Sequence, residues 1–446
     1  MNAMARPLGL WSATALVVGN MIGSGVFLLP ASMAPFGAAG FLGWGLSTVG
    51  ALLLALVFAD LGRRYPVSGG PYAYARMAFG DFAGFLMAWC YWVSVWCATA
   101  AIAVAFAGSV AALAPGLLDT PAAKTGCALG VLAVCTASNL AGVRTAGVAQ
   151  LVLTVLKLLP LAAIIVLGLG AIDAAAYTPF NPSGENLFAV TRDSAALALW
   201  AMLGLECATI PAEHVADAER TIPRATVLGV VVAALVTILA CFVVQGLVPI
   251  AELGKSTAPF ADAAARFAGP QAATFMALAM AVSCIGALNG WVLIQGQIPF
   301  AAARDGLFPA VFAATDARGT PRMGLLIGSV LAAALVQANF TGSLVALFTI
   351  SALLATAACL LPYAFSAGAL CWLEWRARRW FNARVALGVL ALVFSVLALV
   401  GACMDPDVRR WSLYLLLAGL PLYVWIKRAA LFARVRGTIA HERPPT

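Results

Sequence analysis

The chain has 446 residues and a formal net charge of +8, with 63% hydrophobic and 10% charged residues, where soluble domains run roughly 45–50% apolar and about 25% charged. That balance excludes an ordinary soluble enzyme and a disordered chain. The charges also avoid long stretches, with none between Arg6 and Asp60, Asp81 and Asp119, Arg266 and Arg304, or Arg322 and Glu374. A bilayer core needs about 20 apolar residues per helix, so these stretches read as membrane spans, some of them two spans joined by a turn.

Taken in chain order, the apolar runs predict twelve transmembrane helices near 10–34, 40–62, 82–113, 123–141, 146–171, 194–213, 224–248, 271–300, 323–340, 343–372, 384–404 and 411–431. The expected fold class is an all-α polytopic membrane protein. The first run reads as a retained helix, since a single Arg precedes it and no small-residue cleavage site follows. With an even number of spans both termini share a side. Placing them in the cytoplasm puts nineteen Lys and Arg on that side against six on the other, a strong positive-inside bias. Topology therefore accounts for the basic balance, and a nucleic-acid partner is unnecessary. The longest extramembrane segment, around 172–193, is too short for a catalytic domain. The ten Cys are scattered with no C-x-x-C pair, and His214 and His441 fall outside the spans. No metal site, disulfide framework or cofactor is indicated.

Several residues do not belong in a bilayer. Gly19-Asn20-Met21-Ile22-Gly23-Ser24-Gly25 lies about halfway through the first span. Glycine leaves helical geometry cheaply, and a break here would aim free N–H groups of the next half-helix at a carboxylate. Close helix packing through small residues is the alternative. In the third span, Tyr91-Trp92 lie deep, away from the interfacial belt. Lys157 stands near the middle of the fifth span with no acid nearby in sequence; it either snorkels or takes the place of a coupling cation. The sixth span sets Trp200, Gly204 and Glu206 within two turns, and an intramembrane carboxylate marks a proton or substrate pathway unless it only pairs structurally. Trp291 in the eighth span and Tyr363 in the tenth are also deep. Each aromatic alone reads as packing; together they read as a chamber able to hold a cation by its ring faces.

Gly19 to Pro30 resembles the first-span signature of the amino acid, polyamine and organocation transporters, and within them the bacterial basic amino acid/polyamine antiporters, including arginine/agmatine exchangers. The similarity continues through Ser68 to Arg76, Leu199 to Glu206, Ser256 to Phe260, Gly290-Trp291 and Asp305 to Pro309, and so covers essentially the whole chain. The resemblance implies a 5+5 inverted repeat (LeuT-like) plus two C-terminal helices, with the first and sixth helices broken, usually as a homodimer. A single transporter domain would then span 1–431, with repeats at about 10–171 and 194–372, helices at about 384–431 and a cytoplasmic tail at 432–446.

By the same resemblance, Asn20, Ser24 and the backbone at Gly23 and Gly25 would hold the carboxylate and α-amino group of the substrate. Ile22 and Gly204 join that substrate-binding set, and Trp200 would stack on the substrate. Trp291 would line the chamber and share gating with Tyr91 and Tyr363, while Glu206 would be the proton-sensitive switch. Two positions depart from the arginine/agmatine pattern: Thr99 stands where those exchangers carry asparagine, and Ala355 where they carry serine, both at the far end of the substrate side chain. Lys157 resembles the proton-coupled, sodium-independent members. The leading expectation is a secondary transporter of amino acids or polyamines in the bacterial cytoplasmic membrane, working as an arginine/agmatine-like antiporter. The rivals are proton-coupled uptake with Lys157 in place of sodium, and a membrane-embedded receptor that binds without transport.

Overall fold

The computed structural model describes residues 8–441 apart from 24, 68, 115, 142–145, 211, 213–214, 317–318 and 339–342. Among the described residues there is no β-strand; one isolated bridge pairs Leu8 with Val215. The helices are α1 (Leu10–Met21), α2 (Gly25–Met33), α3 (Gly40–Arg64), α4 (Pro71–Phe79), α5 (Asp81–Leu113), α6 (Pro121–Ala141), α7 (Ala146–Gly168), α8 (Leu187–Trp200), α9 (Ala218–Leu247), α10 (Ile250–Leu253), α11 (Pro259–Arg304), α12 (Arg322–Ala338), α13 (Leu344–Arg376), α14 (Ala383–Ala402) and α15 (Pro406–His441).

Eight stretches among the described residues are long and apolar enough to cross a membrane. The difference from twelve has a local cause at each place. The first two expected spans form one apolar stretch, Leu10–Arg64. The sixth is cut short because α8 stops at Trp200. The ninth, α12, is apolar but only 17 residues long, and α15 has its apolar middle between Arg409-Arg410 and Lys427-Arg428. The α15 backbone runs on through the stretch expected as a tail, to His441. Short helices that do not span also appear, notably α4, and the early part of α11 is set off by Gly269 at φ 81.

Helix α5 is the centre of the molecule. Nearly all of its residues from Ala83 to Ser109 are buried, which explains why its sequence is apolar all round rather than striped. Helices α11 and α13 pack along it most extensively. By contrast α14 buries Gly388, Ala391, Phe394 and Ser395 while Val389, Leu390, Val393, Val396, Leu397 and Val400 face outward, the surface that a lipid-facing helix presents.

Polar clusters tie helix ends together. Arg64 bridges Asp60 at 2.5 Å and Glu374 at 2.6 Å, Arg384 reaches Asp60 at 3.1 Å, and Asn382 donates to Glu374 at 2.6 Å, joining α3, α13 and α14. A second cluster unites two segments that the sequence comparison picked out separately: Arg76 bridges Asp305 at 3.1 Å and Asp81 at 3.1 Å, and Tyr72 donates to Asp305 at 3.3 Å. Burial, and then the Asp305 carboxylate beside it, hold the Tyr72 phenol far above its ordinary range. Tyr72 is therefore a neutral donor to that carboxylate at any physiological pH.

Candidate functional site

Two helix interruptions meet at the middle of the bundle. Helix α1 stops at Met21; Ile22 leaves helical geometry at φ −82 and ψ 73, with its N–H still bonded to the Val18 carbonyl at 2.8 Å. Helix α2 resumes at Gly25. On the other side α8 ends at Trp200, and tight turn bonds carry the chain through Ala201, Met202 and Leu203 to Gly204 and the 3-10 turn Cys207–Thr209. Gly204 has φ +103, and a Cβ there would stand 3.0 Å from Asn20 Cβ and 3.2 Å from the Asn20 carbonyl carbon. Only glycine meets both demands, the left-handed backbone and the close approach.

Between the interruptions lies a cavity lined by Asn20, Met21, Gly23, Ile102, Trp200, Leu203 and Trp291, with a volume of about 10 Å³, room for roughly one water molecule. Asn20 is 3% exposed, and its amide nitrogen and oxygen find no nitrogen or oxygen partner within hydrogen-bond distance, the Cys207 thiol being the polar group beside them. Leaving a buried polar group unpaired costs about 1–3 kcal/mol, so a residue kept in that condition points to a ligand. Trp200 packs edge to face against Phe348 at 6.1 Å. Ile22 is fully buried, away from the cavity wall. Gly25 opens α2, and Ser24 lies outside the described residues.

Glu206 is fully buried immediately beyond Gly204. The Tyr91 hydroxyl donates to one of its carboxylate oxygens and the Tyr363 hydroxyl to the other, so α5 and α13 both grip the turn that follows α8. An ionised carboxylate is acceptor-only and suits two donors. Once protonated it gains an O–H donor of its own, which changes what one of the two phenols meets. The two tyrosines expected to act in gating and the expected proton switch thus form one hydrogen-bonded group. Tyr363 also packs edge-on against Phe58 at 5.4 Å.

Lys157 is buried, and its ammonium donates to the Gly19 carbonyl at 3.0 Å. In an unbroken helix that carbonyl would accept from residue 23. The interruption frees it, and the lysine of α7 takes the vacated bond. One turn earlier Thr154 donates to the Ala15 carbonyl at 3.2 Å, so α7 holds α1 up to the point where it breaks.

Thr99 and Ala355 are both fully buried, and neither belongs to the cavity wall. Thr99 lies one turn from Ile102 on α5 and bonds the side chain of Gln295. Sequence reasoning missed Met21, Ile102 and Leu203 as lining residues, although helical spacing pointed to them: Ile102 follows Tyr91 and Thr99 on one face of α5, and Leu203 stands three residues after Trp200. Gln295, one turn after Trp291, was missed as well.

The family model described as amino acid permease matches residues 8–425. The chain belongs to the amino acid permease family. The permease is 33% identical over 407 residues to the "Cadaverine/lysine antiporter" of Escherichia coli (strain K12), which covers 89% of this chain and 90% of that protein. It is 31% identical over 370 residues to the "Putrescine transporter PotE" of the same organism, covering 83% and 84%. Together these matches put the permease among the basic amino acid/polyamine antiporters of the amino acid, polyamine and organocation superfamily. It is a multi-pass membrane transporter and not an enzyme.

Proposed function

We propose that the permease exchanges a basic amino acid for an amine or polyamine across the bacterial cytoplasmic membrane by alternating access, with the substrate held between the two helix interruptions. The observation that carries this reading is Asn20, buried at the α1 interruption with both amide atoms unpaired beside Trp200. The backbone N–H groups at the start of α2 and the Asn20 amide take the carboxylate and α-amino end, and the face of Trp200 takes cationic character. A chamber with room for one water must widen to admit an amino acid, which is what passage through alternating conformations requires. In this reading the bundle comprises twelve spans with a five-plus-five inverted repeat and two further helices, both termini are cytoplasmic, and the working unit is a homodimer.

Proteoliposomes supply the test. Vesicles loaded with cadaverine, putrescine or agmatine are expected to take up labelled lysine or arginine faster than empty ones, with the favoured pair identifying the substrates. Equal uptake by loaded and empty vesicles overturns exchange. The Lys157 bond to Gly19 favours a second reading, proton-coupled uptake, in which the fixed ammonium secures α1 as a coupling ion would. Uptake into empty vesicles that follows an imposed pH gradient supports that alternative.

A further inference from the structure

Helices α13 and α14 are each long and apolar enough to cross a membrane, so the connection between them, residues 377–382, lies at a membrane surface. The Arg378 N–H donates to the Trp375 carbonyl at 2.9 Å and the Arg379 N–H to the Glu374 carbonyl at 3.0 Å. These are the paired bonds of a Schellman cap, whose turning residue is left-handed and usually glycine. Here that residue is Arg378, at φ 58. Among the described residues with positive φ ten are glycines, and the other two are Asp217 and Arg378. Aspartate tolerates the region through its short polar side chain; arginine has no such excuse. Glycine would close α13 without backbone strain, so what arginine adds at 378 is its guanidinium.

The carboxylates nearby are already engaged. Glu374 takes Arg64, Arg384 and Asn382, and Asp60 takes Arg63, Arg64 and Arg384. Among the described residues no carboxylate pairs with Arg376, Arg378 or Arg379. Arg378, Arg379, Trp380, Phe381 and Asn382 line an open hollow of about 510 Å³, within the ~300–1,000 Å³ of small-molecule sites. Its rim is aromatic: Trp380 is 56% and Phe381 99% exposed, so almost nothing in the protein covers them. Asn382 anchors the hollow to the fold, donating to Glu374 and accepting from the Val385 N–H at 2.9 Å to cap α14. Beyond that cap runs the outward face of α14, with Val389 and Leu390 exposed.

We infer that the α13–α14 connection is a binding site for the headgroup of an anionic phospholipid. The guanidinium groups of Arg376, Arg378 and Arg379 take the phosphate, whose oxygens match their forked donors. Trp380 and Phe381 enter the interfacial layer, and the outward face of α14 receives the acyl chains. A free phosphate would satisfy the arginines and leave the aromatic rim in water, so the lipid is the occupant. The site is separate from the central chamber and needs no assumption about the transported substrate.

Delipidated full-length permease in neutral detergent, titrated with phosphatidylglycerol and followed by its melting temperature, gives a half-saturating lipid concentration. Phosphatidylglycerol is expected to raise the melting temperature, and phosphatidylcholine and inorganic phosphate are not. Arg378→Gly, which relieves the left-handed backbone, is expected to melt no lower than wild type without lipid and to need about fivefold more phosphatidylglycerol, the scale of one basic side chain at an anionic surface. Adding Arg376→Gln and Arg379→Gln should raise that requirement to about a hundredfold; should this triple variant fail to fold, Arg378→Gly alone decides. Trp380→Ala with Phe381→Ser should also weaken the lipid response, with every arginine in place. Arg220→Gln with Arg224→Gln and Arg428→Gln removes as many charges elsewhere on the face proposed as cytoplasmic and should change the response little. An equal loss in that control assigns the response to diffuse surface charge and overturns the site. So do an unchanged requirement in Arg378→Gly and a wild type that responds equally to phosphatidylcholine. Stabilisation by inorganic phosphate as large as that by lipid makes the ligand a soluble anion and overturns the lipid assignment.

Discussion

Glu206 accepts from two phenols at once, and that geometry sets the outcome of replacing it. Glutamine keeps one acceptor oxygen and turns the other position into a donor, so the phenol facing it has to accept where it donated before. Glu206→Gln is expected to flatten the dependence of exchange rate on pH while substrate still stabilises the purified protein against heat. An unchanged pH profile makes the carboxylate structural. Trp200 offers a second test. If its face holds cationic character, Trp200→Leu should weaken lysine binding about tenfold, the magnitude of a partly desolvated cation–π contact; calorimetric titration at wild-type affinity moves the substrate elsewhere. Both residues stood out in the sequence because an ionisable or amphipathic side chain deep in a span is costly. Their partners did not. That Tyr91 and Tyr363 meet on one carboxylate depends on how α5 and α13 approach the turn after α8, which no spacing in the chain encodes.

At the scale of elements, the decisive feature is the meeting of two interruptions. Gly19, Gly23 and Gly25 made a break in the first span legible, because glycine lowers the cost of leaving a helix. Gly204 marked the second in the same way, yet its reason is tertiary: its positive φ and the proximity of Asn20 occur together only when the two breaks are in contact. Gly204→Ala is expected to lower the melting temperature by an amount equivalent to about 1–3 kcal/mol and to weaken substrate binding. Gly306 has φ +72 with nothing near its Cβ position, so Gly306→Ala carries the backbone cost alone. Equal losses in the two variants remove the argument from close approach. Lys157 is the other link between elements. From sequence it had no partner, because the group it binds, the Gly19 carbonyl, is freed only by the interruption of a different helix.

For the whole molecule, the clusters at the helix ends join segments hundreds of residues apart. Glu374, 1% exposed, gathers Arg64, Arg384 and Asn382, so Glu374→Ala leaves two arginines without their buried carboxylate. Because Arg64 and Arg384 are 22% and 34% exposed, water offsets part of the loss. The expected destabilisation is about 1–3 kcal/mol, below that of a fully buried pair; a melting temperature equal to wild type shows that solvent compensates completely. The orientation proposed from basic residues has its own check. A C-terminal epitope should be cleaved by added protease in inside-out vesicles and protected in right-side-out ones, and the reverse pattern inverts the topology.

The sequence by itself determined the membrane class and, through its motifs, the family, and it singled out Asn20, Gly23, Trp200 and Trp291 among the residues that line the cavity. The membrane class follows from the transfer energetics of single side chains, and the break in the first span from the conformational freedom of single glycines, both properties of local sequence. Only the tertiary structure decided what those residues bind. The unpaired amide of Asn20, the paired phenols on Glu206 and the ammonium on the Gly19 carbonyl each depend on groups brought together from helices distant in the chain. Hydrogen bonds are directional and short in reach, so their partners are settled by packing and not by composition or period.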